Sequence, residues 1–212
     1  MNNLLELFTN CAYKVRYEQI GSEVNYAFVE EKDTLYIYFE CSASKQDWKS
    51  NFDFKKTLYD GLFKVHRGFY DCYYQVRNIV LDKAYSKNWK EVVIVGYSHG
   101  GALVQFALQD IKWHLPNLDV KGYAFESPRA LKVQKELRFY WETLTRIQNN
   151  WDLVCHVPPK LFSFDDLGKE IKIKGDTKLV ENHLPKFIKS HYPQCVADGL
   201  EKLNAQNAQN GK

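Results

Sequence analysis

No apolar stretch in this chain of 212 residues approaches the roughly 20 consecutive residues that a membrane-spanning helix needs. The opening residues, MNNLLELFTNC, lack the basic start, apolar run and small-residue cleavage site of a secretory leader. Cysteine is sparse and scattered: Cys11, Cys41, Cys72, Cys155 and Cys195 form no C-x-x-C pair, which argues against a disulfide framework or a zinc site and for a reducing compartment. A cytoplasmic location is therefore expected. Charge of one sign never gathers into a block. The 29 basic and 26 acidic residues are interspersed, leaving a net charge of +3 and no footprint for a nucleic-acid partner. Internal repeats and linker-like stretches are missing as well. Residues 1–203 read as a single domain, and the polar NAQNAQNGK at 204–212 as a flexible tail.

What is present is an ordinary globular balance, 45% hydrophobic and 26% charged, with a heavy aromatic load of 14 Tyr, 13 Phe and 5 Trp. Helical spacing of Leu4, Leu5, Phe8, Cys11, Ala12 and Val15 predicts an amphipathic helix over residues 1–19. Two strands are expected at Val24–Val29 and Leu35–Phe39, joined by a turn at Glu31-Lys32-Asp33. Residues 42–61 read as a loop or short helices. From there strands and helices alternate: helix Tyr70–Tyr85, strand Val92–Val95, helix His99–His114, strand Val120–Phe125, helix Leu131–Tyr140, strand Thr143–Ile147, strand Ile171–Ile173 and helix Tyr192–Leu203. Alternation of this kind builds a mainly parallel sheet. The β-branched run Val92-Val93-Ile94-Val95 fits a strand covered on both faces.

The strongest local signal follows that strand. Gly96-Tyr97-Ser98-His99-Gly100 is a G-x-S-x-G set between a strand and a helix, the context a nucleophile elbow requires. The turn lifts the Ser98 hydroxyl clear of the backbone and puts it at a helix N-terminus, where the amide of His99 is a candidate oxyanion donor. The motif implies an α/β-hydrolase fold, a mainly parallel central sheet with helices on both faces.

A serine hydroxyl needs a base, and the base an orienting carboxylate, which in this fold follow the serine in the order acid, then histidine. Asp152 lies just past a predicted strand and is the first candidate acid; Asp165, Asp166 and Asp176 are alternatives. His191 and His183 both follow it. His191, before Tyr192-Pro193 at the start of the last helix, is favoured as the base.

With these residues in place, the chain resembles the class 3 lipases, the fungal-type triacylglycerol lipase family, from about residue 24 to residue 200. Ser42-Ala43-Ser44 with Asp47-Trp48 looks like the stretch where that family writes Arg-Gly-Ser/Thr-x-Ser and then a polar residue and Trp. Val65-His66-Arg67-Gly68-Phe69 is similar to its His-Lys-Gly-Phe, and Glu126-Ser127-Pro128-Arg129 to its Gly-x-Pro-Arg. Asn150-Trp151-Asp152-Leu153-Val154 through Val157-Pro158-Pro159 is similar to its Asn-x-Asp-x-Val-Pro-x-x-Pro-Pro. The resemblance implies triad roles for Ser98, Asp152 and His191 and an oxyanion role for Ser42. The chain departs from the family's pattern at Glu40-Cys41, where Arg-Gly is usual, at His99 in place of Leu, and at Glu126 in place of Gly.

The expected activity is hydrolysis of carboxylic esters, those of lipids included, without a metal or organic cofactor and with at most transient contact with a lipid surface. A phospholipase, thioesterase or acyltransferase would use the same residues, and a non-catalytic binding descendant would keep only the cleft. The lid of the family would fall on residues 45–56, where Trp48, Phe52 and Phe54 are the apolar members. So little apolar surface gains little free energy at an oil interface, at about 25 cal/mol per Å². Dispersed esters of short-to-medium acyl chains are the expected substrates.

Overall fold

The computed structural model describes residues 3–21, 24–40, 55–60, 62–132, 141–181 and 183–210. Ser42, Cys41, residues 45–54 of the lid expected over 45–56 and residues 133–140 of the helix expected over Leu131–Tyr140 lie outside the described residues, while Leu131 forms an isolated bridge with Val65.

Helix α1 (Leu4–Thr9) begins at Asn3, whose side chain caps the amides of Leu5 and Glu6, and passes into a π-turn at Asn10–Lys14. The helix stops short of residue 19, because the chain turns extended at Val15 and forms strand β1 (Glu18–Ile20) against β2 (Val24–Glu31). Strand β3 (Thr34–Phe39) pairs antiparallel with β2 across the expected turn, where Lys32 takes a positive φ of 56°. A two-stranded hairpin of β4 (Lys56–Tyr59) and β5 (Phe63–His66) follows, part of it in a region expected to be loop or helix. Helix α2 (Arg67–Tyr85), strand β6 (Glu91–Tyr97), helix α3 (His99–His114) and strands β7 (Asp119–Phe125), β8 (Leu144–Asn149) and β9 (Lys169–Ile173) then build the body. A short α4 (Lys186–Lys189) precedes α5 (Pro193–Asn210), which continues helical through residues 204–210, expected to be a tail. Ala and Gln in that stretch are good helix formers, and one helical turn supports the next.

Among the described residues the main sheet has seven strands in the order β1-β2-β3-β6-β7-β8-β9, parallel from β3 onward. Strand period places alternate residues on opposite faces. In β6, Val92 and Ile94 join the core formed with Val76 of α2 and Phe106 of α3. Val93 and Val95 join the core on the other face with Phe8 of α1 and Val196 and Leu200 of α5. Double coverage explains why this strand reads as an unbroken apolar run, and it gives the α/β-hydrolase architecture its helices on both faces. Among the described residues, no helix is long and apolar enough to cross a membrane.

Candidate active site

The carboxyl ends of the parallel strands β6, β7 and β8 converge on one edge of the sheet, where the loops after them carry Ser98, Glu126 and Asp152. Ser98 sits between β6 and α3 with φ 56° and ψ −120°, a conformation unusual for any residue with a Cβ. Its amide donates to Phe125 O at 2.8 Å, which fixes the turn against β7. The two motif glycines are there because the backbones touch. A Cβ on Gly96 would lie 2.3 Å from Gly100 O, and one on Gly100 would lie 2.2 Å from Phe39 O.

Asp152 follows β8 in a tight turn closed by its own amide to Asn149 O, 2.9 Å. Its carboxylate is fully buried and accepts from Val154 N at 2.8 Å through Oδ1, leaving Oδ2 for His191 Nδ1 at 2.5 Å. His191 Nε2 lies 2.8 Å from Ser98 Oγ. The three residues favoured by the sequence are thus brought together in one line. The alternatives are not. His183 is exposed, Asp166 pairs with Arg129 at 2.7 Å, Asp176 caps the turn at Thr177–Leu179, and Asp165 is an exposed loop residue whose amide bonds Leu131 O.

Residues that the spacing did not single out hold the base in place. The Tyr97 ring stacks on the imidazole, with centroids 5.3 Å apart and planes 22° apart, and its hydroxyl donates to His191 O. Asn149 Nδ2 donates to Ser190 O at 2.9 Å, tying the end of β8 to the loop that carries the base. Tyr97 is the variable second residue of the elbow, and Asn149 is one position before the family-like Asn150, so neither carries a pattern of its own. His99 is buried at the first position of α3 with its ring 5.4 Å from Phe69, which leaves its amide at the end of the helix beside Ser98.

Burial pushes the Asp152 carboxyl up, but the adjoining His191 imidazole and the hydrogen bonds from His191, Glu126 and Val154 outweigh it, holding Asp152 below the usual carboxylate range. Glu126 goes the other way: burial, then the Asp152 charge and the hydrogen bond they share, hold it well above that range. Cys155 beside them is also pushed up, first by burial and then by the two acids. Among the described residues, Glu126, Asp152 and Cys155 offer ligand atoms within 4.8 Å of one another, a spacing a metal ion could bridge. Asp152 is committed to His191, however, and a thiol held protonated is a poor ligand, so the trio fits a hydrogen-bonded cluster better.

Comparison with known proteins agrees with this geometry. A lipase of Rhizomucor miehei is 28% identical over 159 residues, covering 70% of this chain and 44% of its own. The chain spans under half the length of such curated relatives, a lipase of Rhizopus niveus included (42%). Among solved structures, the Rhizomucor miehei lipase–propeptide complex superposes with a TM-score of 0.67 over 93% of this chain and 78% of that one, at 24% identity. A triacylglycerol lipase whose catalytic centre is formed by a serine protease triad superposes with a TM-score of 0.63 at 26% identity, over 77% of this chain and 68% of that one. Residues 36–162, well over half of the chain, match the family described as Lipase (class 3), so the elbow and its acid stand inside that match, and the chain belongs to the class 3 lipase family.

Proposed function

We propose that the chain is a serine carboxylic-ester hydrolase working through an acyl-enzyme on Ser98. The observation that carries this reading is the unbroken line from Ser98 Oγ through both ring nitrogens of His191 to Asp152. In the first step the Ser98 oxygen attacks the ester carbonyl carbon while His191 Nε2 takes the hydroxyl proton, and Asp152 holds the ring in the required tautomer and stabilises the imidazolium. The carbonyl oxygen becomes an anion at the N-terminus of α3, where the His99 amide is the proposed donor and Ser42 a second one implied by the family. Collapse of this intermediate expels the alcohol with the proton from His191. Water then attacks the acyl-enzyme, with His191 as base again. These groups balance every proton, so the reaction asks for no metal or organic cofactor.

Lipid esters are the proposed substrates, as the named relatives are lipases. Exposed apolar side chains lie close in sequence to the triad: Trp151 and Leu153 on either side of Asp152, and Leu184 and Phe187 shortly before His191. Beside Trp151 a cavity of about 480 Å³ is lined by Lys172, Lys174, Lys178, Lys186 and Lys202. Exposed apolar side chains with lysines beside Trp151 support transient contact with lipid. The buried thiols of Cys11, Cys72, Cys155 and Cys195 support the expectation of a reducing, cytoplasmic setting. The test is hydrolysis of p-nitrophenyl esters of increasing acyl length. Turnover should be highest for short-to-medium chains and vanish in Ser98→Ala; wild-type protein inert toward all of them would overturn the reading.

A further inference from the structure

Glu126 stands in an expensive place. It takes a positive φ of 47°, a backbone conformation that glycine adopts freely and a glutamate does not, and its side chain is completely buried. Its amide donates to Ile147 O at 2.9 Å. Its Oε1 accepts from Asn149 N at 2.8 Å and its Oε2 from Cys155 Sγ at 3.4 Å. Neither donor carries a positive charge. One of the Glu126 carboxyl oxygens lies within 4.8 Å of an Asp152 oxygen, and both side chains are fully buried.

Two carboxyl groups this close and away from water strongly disfavour double ionisation, so at neutral pH one keeps a proton. The surroundings decide which. Asp152 faces His191, the Val154 N–H and, at 3.7 Å, the Cys155 thiol that it shares with Glu126. Glu126 faces Asp152, the Cys155 thiol and one backbone amide. Arg146 of β8 is engaged elsewhere, donating to Leu167 O at 2.6 Å and pairing loosely with Asp166 and Glu170 at 3.6 and 3.7 Å. The charge therefore belongs on Asp152 and the proton on Glu126.

We propose that Glu126 is a positioning residue of the triad: its neutral carboxylic acid donates a hydrogen bond to Asp152, fixing that carboxylate toward His191 and limiting how strongly its charge holds the imidazolium. The proton stays on Glu126 throughout turnover. This rests on the triad reading above, and it extends the line Ser98–His191–Asp152 by a fourth group. The burial pattern agrees, since burial and the neighbouring Asp152 charge both favour the protonated form of Glu126.

The test uses Glu126→Gly, which suits the backbone but removes the acid, and Glu126→Gln, which keeps a donor without a titrating proton. In E126G the Asp152 charge is no longer shared. The acid limb of the pH–rate profile should rise by roughly half a pH unit, and kcat should fall about tenfold with KM little changed. E126Q should recover most of that loss and keep the wild-type limb. A limb that moves down in E126Q would mean that Glu126 is a second anion, and a limb unmoved in E126G would mean that it only fills space; either overturns the proposal. If E126G fails to fold, infrared spectroscopy of wild type against E126Q decides. A protonated-carboxyl carbonyl band at pH 7 that E126Q lacks supports the proposal, and its absence from wild type overturns it. That band is independent of turnover, so a wild type without esterase activity would sink the triad reading while leaving Glu126 judged by itself.

Discussion

Two buried carboxylates can be set side by side. Asp110 on α3 is 1% exposed and accepts from Arg77 Nε at 2.7 Å, from the Tyr73 hydroxyl at 2.9 Å and from the Tyr59 hydroxyl, joining α2, α3 and β4. Asp152 is equally buried, yet its partners are an imidazole, one amide and a thiol, with the Glu126 acid beside them. Arg77 is a permanent cation facing Asp110, whose carboxyl burial pushes up to about 7, so the pair is a structural contact whose charge is set by burial alone. His191 takes the Ser98 proton and returns it in the proposed reaction, so the balance at Asp152 changes as that proton moves. A buried acid opposite a guanidinium holds helices together; a buried acid opposite an imidazole that reaches a serine can do chemistry. The two should respond differently to the same kind of damage.

The largest effect is expected at the elbow. Ser98→Ala should lower ester hydrolysis by on the order of 10⁴ or more with the thermal midpoint nearly unchanged, because a hydroxyl is lost and the turn keeps its Cβ. His191→Ala should be almost as severe, and the double substitution little worse than either, since the residues act as one unit. Initial rates and thermal melts on the same preparations check both points. At the other cluster, Asp110→Ala leaves two tyrosine hydroxyls without their acceptor, while Arg77 keeps Asp60 at 2.7 Å, and should cost about 2–5 kcal/mol in urea unfolding. The folded fraction should keep its specific activity. Loss of activity beyond the loss of folded protein would erase the contrast between the clusters.

The two clusters were not equally legible in the sequence. An elbow is local: five residues between a β-branched run and a helix announce Ser98, and chain order narrows the acid and base to a few candidates. The strand Val92–Val95 and helix His99–His114 were readable for the same reason, because each carries its own periodicity. The hairpin of β4 and β5 was not. Lys56-Thr57-Leu58-Tyr59 is largely exposed and short, and it becomes a strand through its partner Phe63–His66. Asp110, Tyr59, Tyr73 and Arg77 meet only in three dimensions, as do Tyr97 and His191. Glu126 stood out in the sequence only as a departure from a family glycine; its contact with Asp152 needed the fold.

A smaller effect follows from the proton on Glu126. The folded carboxyl is held well above its ordinary value, so from about pH 4.3 upward the unfolded chain releases a proton that the folded one keeps. This group's contribution to stability is complete below that pH and declines as pH rises toward the folded value. The midpoint of E126Q relative to wild type should therefore climb between pH 4 and pH 7; a constant gap would contradict the assignment. Smallest of all, His183→Ala should be close to neutral, as the residue is exposed. A rate against tributyrin concentration should also pass the solubility limit without a jump, because apolar side chains next to Asp152 in sequence, Trp151 and Leu153, are already exposed.

The central claim is that Ser98 is an activated nucleophile, and reaction with a fluorophosphonate probe followed by peptide mass spectrometry tests it most directly. The account predicts one adduct, on Ser98, formed rapidly by wild type and Asp110→Ala, slowly by His191→Ala and not at all by Ser98→Ala. An adduct on another residue, or wild-type protein that remains unlabelled while folded, would contradict it.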